Sequence, residues 1–147
     1  MMFDKMVIAL DGSQLSPKVQ EAAILFAREN KSSLTFVHVV KELPAYVTSQ
    51  LVFMVHDVQT EYLEEAKKYG QELLDQACKA AEKEGVQCEA ILLQGDPANE
   101  LLALVKEKNA DLIMMGSRGL GDFKELMLGS VSHRITQLAP CPVFIIK

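Results

Sequence analysis

The residues with the clearest chemistry in this chain are spaced as Gly116-x2-Gly119-x9-Gly129-Ser130, a pattern that begins where the apolar run Asp111-Leu112-Ile113-Met114-Met115 stops. Glycines at a strand end tolerate positive φ and let a sugar or phosphate approach the main chain. A glycine-serine step that opens a helix presents free amides and a partial positive charge, a ready anion site. On this reading Gly116 and Gly119 shape a turn, and Gly129 brings the helix start close to the phosphates. The amides of Ser130, Val131 and Ser132 and the two serine hydroxyls then donate hydrogen bonds, with Arg118 and Lys124 adding positive charge. The plainer reading is a set of turn glycines with Ser130 as an ordinary helix cap.

Other nucleotide loops fit poorly. The G-x-x-x-x-G-K-[ST] loop is absent, and Gly119-Leu120-Gly121 lacks the x-x-G that would complete a dinucleotide fingerprint. Asp11 is a conceivable base, but no histidine or second acid accompanies it nearby, which favours binding or helix capping. His38, His56 and His133 have no metal-ligand spacing to one another. Ser130 and Ser132 are phosphorylation candidates should a bound nucleotide react in place, with hydrogen bonding as their default role.

The elements that must position these groups follow from periodicity. Lys5 to Leu10 is a short apolar run ending at Asp11-Gly12-Ser13, a strand and turn. Ser16-Pro17 supplies a cap and first-turn proline for a helix to Asn30, and Ser33 to Val40 is a β-branched second strand. Leu43 to Val58 is apolar without a clean period, and reads either as a cap over the cleft and core or as an exposed partner or lid surface. Tyr62, Ala66, Tyr69, Leu73, Ala77 and Ala80 mark the buried stripe of a long amphipathic helix from about Gln59 to Glu84, with Gly85 at its stop. Val86 to Leu93 is a third strand, Gly95-Asp96-Pro97 opens another helix, and Ala110 to Met115 is a fourth strand. A helix from Ser130 to about Leu138 and a last strand from Val143 to Ile146 complete the chain.

Strands that alternate with helices and read as continuous apolar runs predict a doubly wound α/β domain spanning 1–147, with a five-stranded, mainly parallel sheet covered on both faces. The order 3-2-1-4-5 would place Asp11-Gly12-Ser13 opposite the glycine loop, at the switch point where such sheets bind ligands.

Bulk properties exclude several classes. The formal charge of −5 disfavours a nucleic-acid partner. No run approaches the ~20 apolar residues of a membrane span, and the first residues do not read as a secretory leader. Cys78, Cys88 and Cys141 form no C-x-x-C pair and fit reduced thiols in a cytoplasmic protein.

Together with Asp11 at a strand end, His38-Val39 closing the second strand, Gly95-x-Pro97 and Pro140-x-Pro142-Val143, the glycine pattern resembles the universal stress protein family over essentially the whole chain. Members with this glycine pattern bind ATP, and a branch lacking it does not. The resemblance therefore implies ATP with a divalent Mg or Mn ion held mainly by the phosphates. It places Asp11 beside the nucleoside, the Val39 backbone at the adenine, Met115 and Gly116 near the ribose, and Gly119, Gly129, Ser130, Val131 and Ser132 around the phosphates. The family's frequent proline two residues before the acid is Ala9 here, a change in the packing of the adenine pocket. Members commonly dimerise through the last strand, which would also cover the exposed edge of Val143 to Ile146. Three functions remain open at this level: a homodimeric ATP-dependent sensor or switch with little or no turnover, a slow ATPase or autokinase using Asp11, and a nucleotide-independent chaperone or scaffold.

Overall fold

The computed structural model describes residues 2–42, 56–118 and 128–147, with side chains from Thr60 in the second segment. Its elements run β1 (Lys5–Ala9), α1 (Ser16–Asn30), β2 (Ser33–Lys41), α2 (His56–Lys83), β3 (Cys88–Gly95), α3 (Pro97–Lys108), β4 (Leu112–Gly116), α4 (Ser130–Leu138) and β5 (Val143–Ile146). The strands form one parallel sheet in the expected order β3-β2-β1-β4-β5. Met6 and Ile8 of β1 stand beside Leu112 and Met114 of β4, so both strands end at the same level on the carboxyl side.

Alternation along the strands divides the core into two layers. Met6, Ile8, Phe36, Leu112 and Met114 meet Val19, Ala23 and Ala27 of α1 and Leu74, Ala77 and Ala81 of α2. Val7, Val37, Ile113 and Met115 meet Leu101, Leu104 and Val105 of α3 and Ile135 of α4 on the other face. Because helices cover both faces, β1 and β4 have no polar side and read as unbroken apolar runs. Phe3, Phe26 and Phe144 close one end of the first layer, meeting edge to face at centroid distances of 5.3–6.2 Å.

Helix ends explain where sequence boundaries shift. After α2, Gly85 adopts φ +74°, its amide bonds the Glu82 carbonyl, and the Val86 amide reaches back to the Ala81 carbonyl. This double closure commits Val86 to the helix end, so pairing in β3 starts at Cys88 rather than Val86. The same left-handed exit follows α1 at Lys31 (φ 56°) and α3 at Asn109 (φ 51°), with Ser32 and Ala110 bonding back to Ala27 and Val105. At the other end of α3, Asp96 caps as expected, accepting from the Asn99 amide at 3.0 Å. Ser16 does not cap α1: it lies inside the first turn, the preceding position is Leu15, and its buried hydroxyl turns toward Asp11. Of the aperiodic stretch from Leu43 to Val58, only the last residues, from His56, are described, and they begin α2; both readings of its role fall outside the described residues.

Candidate functional site

The β1–α1 loop is built around Asp11. Its Oδ1 accepts from the Ser13 amide at 2.8 Å and from the Ser16 hydroxyl at 3.0 Å, and Ser16 Oγ accepts the Gly12 amide at 2.9 Å. Gly12 has φ +82°, a conformation that suits glycine. A Cβ there would also stand 2.7 Å from the Tyr69 hydroxyl. Asp11 thus organises its own loop through one oxygen, while its exposed carboxylate stays at the mouth of a cleft.

The end of β4 leads to the start of α4 through a short set of main-chain bonds. The Ser117 amide donates to the Ile146 carbonyl, and the Gly129 amide donates to the Ser117 carbonyl, both at 2.8 Å. Gly129 is the N-cap of α4, with an extended backbone (φ −64°, ψ 164°) and no side chain to occupy the first amides. Ser130, Val131 and Ser132 are therefore the residues whose amides open the helix, and Ser130, far from being the cap, is its exposed first residue. Ser132 is 2% exposed, and its hydroxyl faces the carbonyls of Ser117 and Gly129 at 2.8 and 3.1 Å. That hydroxyl braces the turn, which leaves the main-chain amide as its group for a ligand. Arg134 of α4 lies 3.5 Å from the capping carboxylate of Asp96 and ties the starts of α3 and α4 together.

Gly116 differs from expectation. It ends β4 without a positive φ, and tight space rather than backbone freedom favours glycine there. A Cβ would meet Leu15 at 3.2 Å and the Arg118 carbonyl at 3.3 Å.

These loops enclose a cleft of about 330 Å³ at the carboxyl ends of β1, β2 and β4. Ala9, Asp11, Val39, Met115, Gly116, Arg118, Gly129, Ser130, Val131 and Ser132 all line it. Gly119 and Lys124 lie outside the described residues. A groove of about 470 Å³ between α1 and α2, bordered by Arg28 and Glu84, shares no residue with the cleft and lies away from the strand ends.

The cleft also has a wall that sequence reasoning missed. His38, Tyr62, Ala66 and Tyr69 line it. His38 is buried and its Nδ1 donates to the Leu10 carbonyl at 2.7 Å, so the ring holds the strand end just before Asp11. Tyr69 meets the His38 ring edge-on at 6.3 Å, and its hydroxyl donates to the Gly12 carbonyl at 3.3 Å. Gly70 allows this approach, since a Cβ would stand 2.5 Å from His38 Cδ2 and 2.9 Å from Leu92 Cδ1. The tyrosines belong to the stripe that the sequence assigns to the core. Further along α2 the buried face is shifted by one residue from that stripe: Leu74, Ala77 and Ala81 enter the core, while Leu73 and Ala80 pack half-buried at its edge. Its first turns instead border the cleft at the strand ends, and periodicity is the same for both.

Fold and cleft define the class: a doubly wound α/β protein with its concave site at the switch point between β1 and β4, where an anion-attracting helix start faces an acidic strand end. The universal stress protein family model matches residues 2–147, and the chain belongs to that family. It is 42% identical to universal stress protein YxiE of Bacillus subtilis (strain 168), across 99% of this chain and 100% of that one. Universal stress protein UspA from Lactobacillus plantarum shares the fold with a TM-score of 0.87 at 18% identity, over 99% of this chain and 98% of that one. Two further solved relatives carry nucleotides. A universal stress protein in complex with cAMP has a TM-score of 0.68 at 21% identity, covering 98% of this chain and 96% of that one. The protein from Archaeoglobus fulgidus in complex with dAMP has a TM-score of 0.66 at 21% identity, with both chains fully covered.

Proposed function

We propose that this member of the family is a cytoplasmic, ATP-binding regulatory protein of the glycine-motif branch, a nucleotide-dependent sensor or switch with little or no turnover. The observation that carries this reading is the convergence of Asp11, Val39, Met115, Gly116 and the opening residues of α4 on one cleft of nucleotide scale. The donor set suits the ligand. The start of α4 supplies amides to phosphate, Arg118 supplies positive charge, and the free oxygen of Asp11 accepts from a ribose hydroxyl. Relatives described in complex with cAMP and dAMP support an adenine nucleotide. The Mg or Mn ion is held by the phosphates, whose charge it neutralises when bound. The half-buried edge strand Val143–Ile146, which among the described residues pairs only with β4, is the surface through which two copies join.

Thermal unfolding with Mg-ATP, AMP and GTP, with ADP release followed in the same samples, tests the reading. Ligand at a hundredfold over its dissociation constant adds ~2.7 kcal/mol, or several degrees at ~2–4 °C per kcal/mol. No ATP-specific shift would sink the binding function. Steady ADP formation that Asp11→Ala abolishes would replace the switch with an enzyme.

A further inference from the structure

Ala66 stands between two aromatic rings on the cleft face of α2. Tyr62 and Tyr69 are seven residues apart, two helical turns or about 10 Å along the axis. Ala66 is the small residue between them, and all three line the cleft beside Val39 and Lys41. The two tyrosines are not equivalent. Tyr69 is fixed by its bond to the Gly12 carbonyl and its edge contact with His38. Tyr62 stands about two turns nearer the start of the helix; exposure does not separate the two, at 45% for Tyr62 and 52% for Tyr69.

We propose that this notch on α2 receives the heterocyclic base of the nucleotide, with Tyr62 stacking on the base and Tyr69 serving as the fixed opposite wall. The inference rests on the nucleotide reading above and adds to it a source of affinity independent of the phosphates. Every base has a π-face, so the tyrosines supply binding strength for purine nucleosides in general, while selection of adenine falls to the main chain at the end of β2.

Adenosine, AMP and ATP are titrated against the parent protein, Tyr62→Leu, Tyr62→Phe and Gly129→Val. The chain has no tryptophan, so its intrinsic fluorescence comes from its three tyrosines and, once corrected for absorption by the added nucleotide, reports quenching by a bound base; far-ultraviolet circular dichroism checks folding. Tyr62→Leu is expected to weaken all three ligands by a similar factor, roughly 5- to 100-fold, and to reduce fluorescence quenching by adenosine. Tyr62→Phe keeps the ring and should bind within about twofold of the parent, an expectation from base–aromatic stacking. Gly129→Val should weaken ATP far more than adenosine. If the parent binds nucleotide but folded Tyr62→Leu binds it equally well, or loses affinity in step with phosphate number, the stacking role is overturned. If the parent responds to none of the three ligands, the nucleotide reading falls and this inference with it.

Discussion

Asp11 and Ser16 illustrate how a residue's type can be legible while its job is not. Aspartate at a strand end before Gly-Ser points to binding or capping, and Ser16-Pro17 reads as a cap. In the folded chain the two side chains bond each other and the intervening amides, making the loop a small hydrogen-bonded unit. Ser16 is 4% exposed, and its loss leaves the Gly12 amide without its acceptor. Ser16→Ala should therefore cost about 1–3 kcal/mol, the range for stranding a buried polar partner, and should weaken ATP by loosening Asp11. Urea unfolding and ATP titration of the variant measure both. A change below 0.5 kcal/mol, on the order of an ordinary surface substitution, would show the bond to be dispensable.

At the scale of elements, three helices end in the same way at Lys31, Gly85 and Asn109, yet glycine and asparagine announce it and Lys31 does not. A left-handed exit costs a residue with a Cβ about 1–2 kcal/mol, so Lys31 is a strained position that the helix closure holds in place. Lys31→Gly relieves that strain but gives the unfolded chain more freedom, an opposing entropy. The net expectation is a gain of about 0.5–1 kcal/mol, read as a higher denaturant midpoint at unchanged slope. A lowered midpoint would contradict it. α2 makes the complementary point: its length and stripe are readable from Tyr62 to Ala80, but which turns cover the sheet and which line a cleft depends on how far the helix reaches past the strands.

For the molecule as a whole, stability at high pH is set in part by thiols at the α2–β3 junction. Burial, then the hydrogen bond and charge of neighbouring Cys88, push the Cys78 thiol up to about 12. Cys141 moves in the same direction, first through burial and then through Asp111. A folded-state pKa above the unfolded value means that the native protein holds the proton longer. The contribution is complete below the ordinary thiol value of 9.0 and is lost as pH rises toward about 12. Cys78→Ala should thus give a shallower decline of unfolding free energy between these limits than the parent, with common lysine and tyrosine contributions cancelling in the comparison. Parallel declines would show that Cys78 titrates alike in both states. On the acid side, Glu89 is shifted down, chiefly by its hydrogen bond from Lys108 despite opposing burial, and also by Thr35; this link joins β3 to the end of α3.

The sequence by itself determined the alternation of strands and helices, because the buried strands must be apolar throughout and the helices must carry one apolar stripe. It also determined the family, and it marked Asp11, Val39, Met115 and Gly116 as residues at strand ends. Tertiary structure decided the rest. Pairing of β1 with β4 brought Asp11 opposite the start of α4, across about a hundred residues of chain. Packing of Gly70 against His38 seated α2 so that Tyr69 reaches Gly12. The close approach at Gly116, where a Cβ would crowd Leu15 at 3.2 Å, likewise exists only once α1 lies on the sheet. Local patterns encode which face of an element is apolar; what that face meets depends on contacts between segments far apart in the chain.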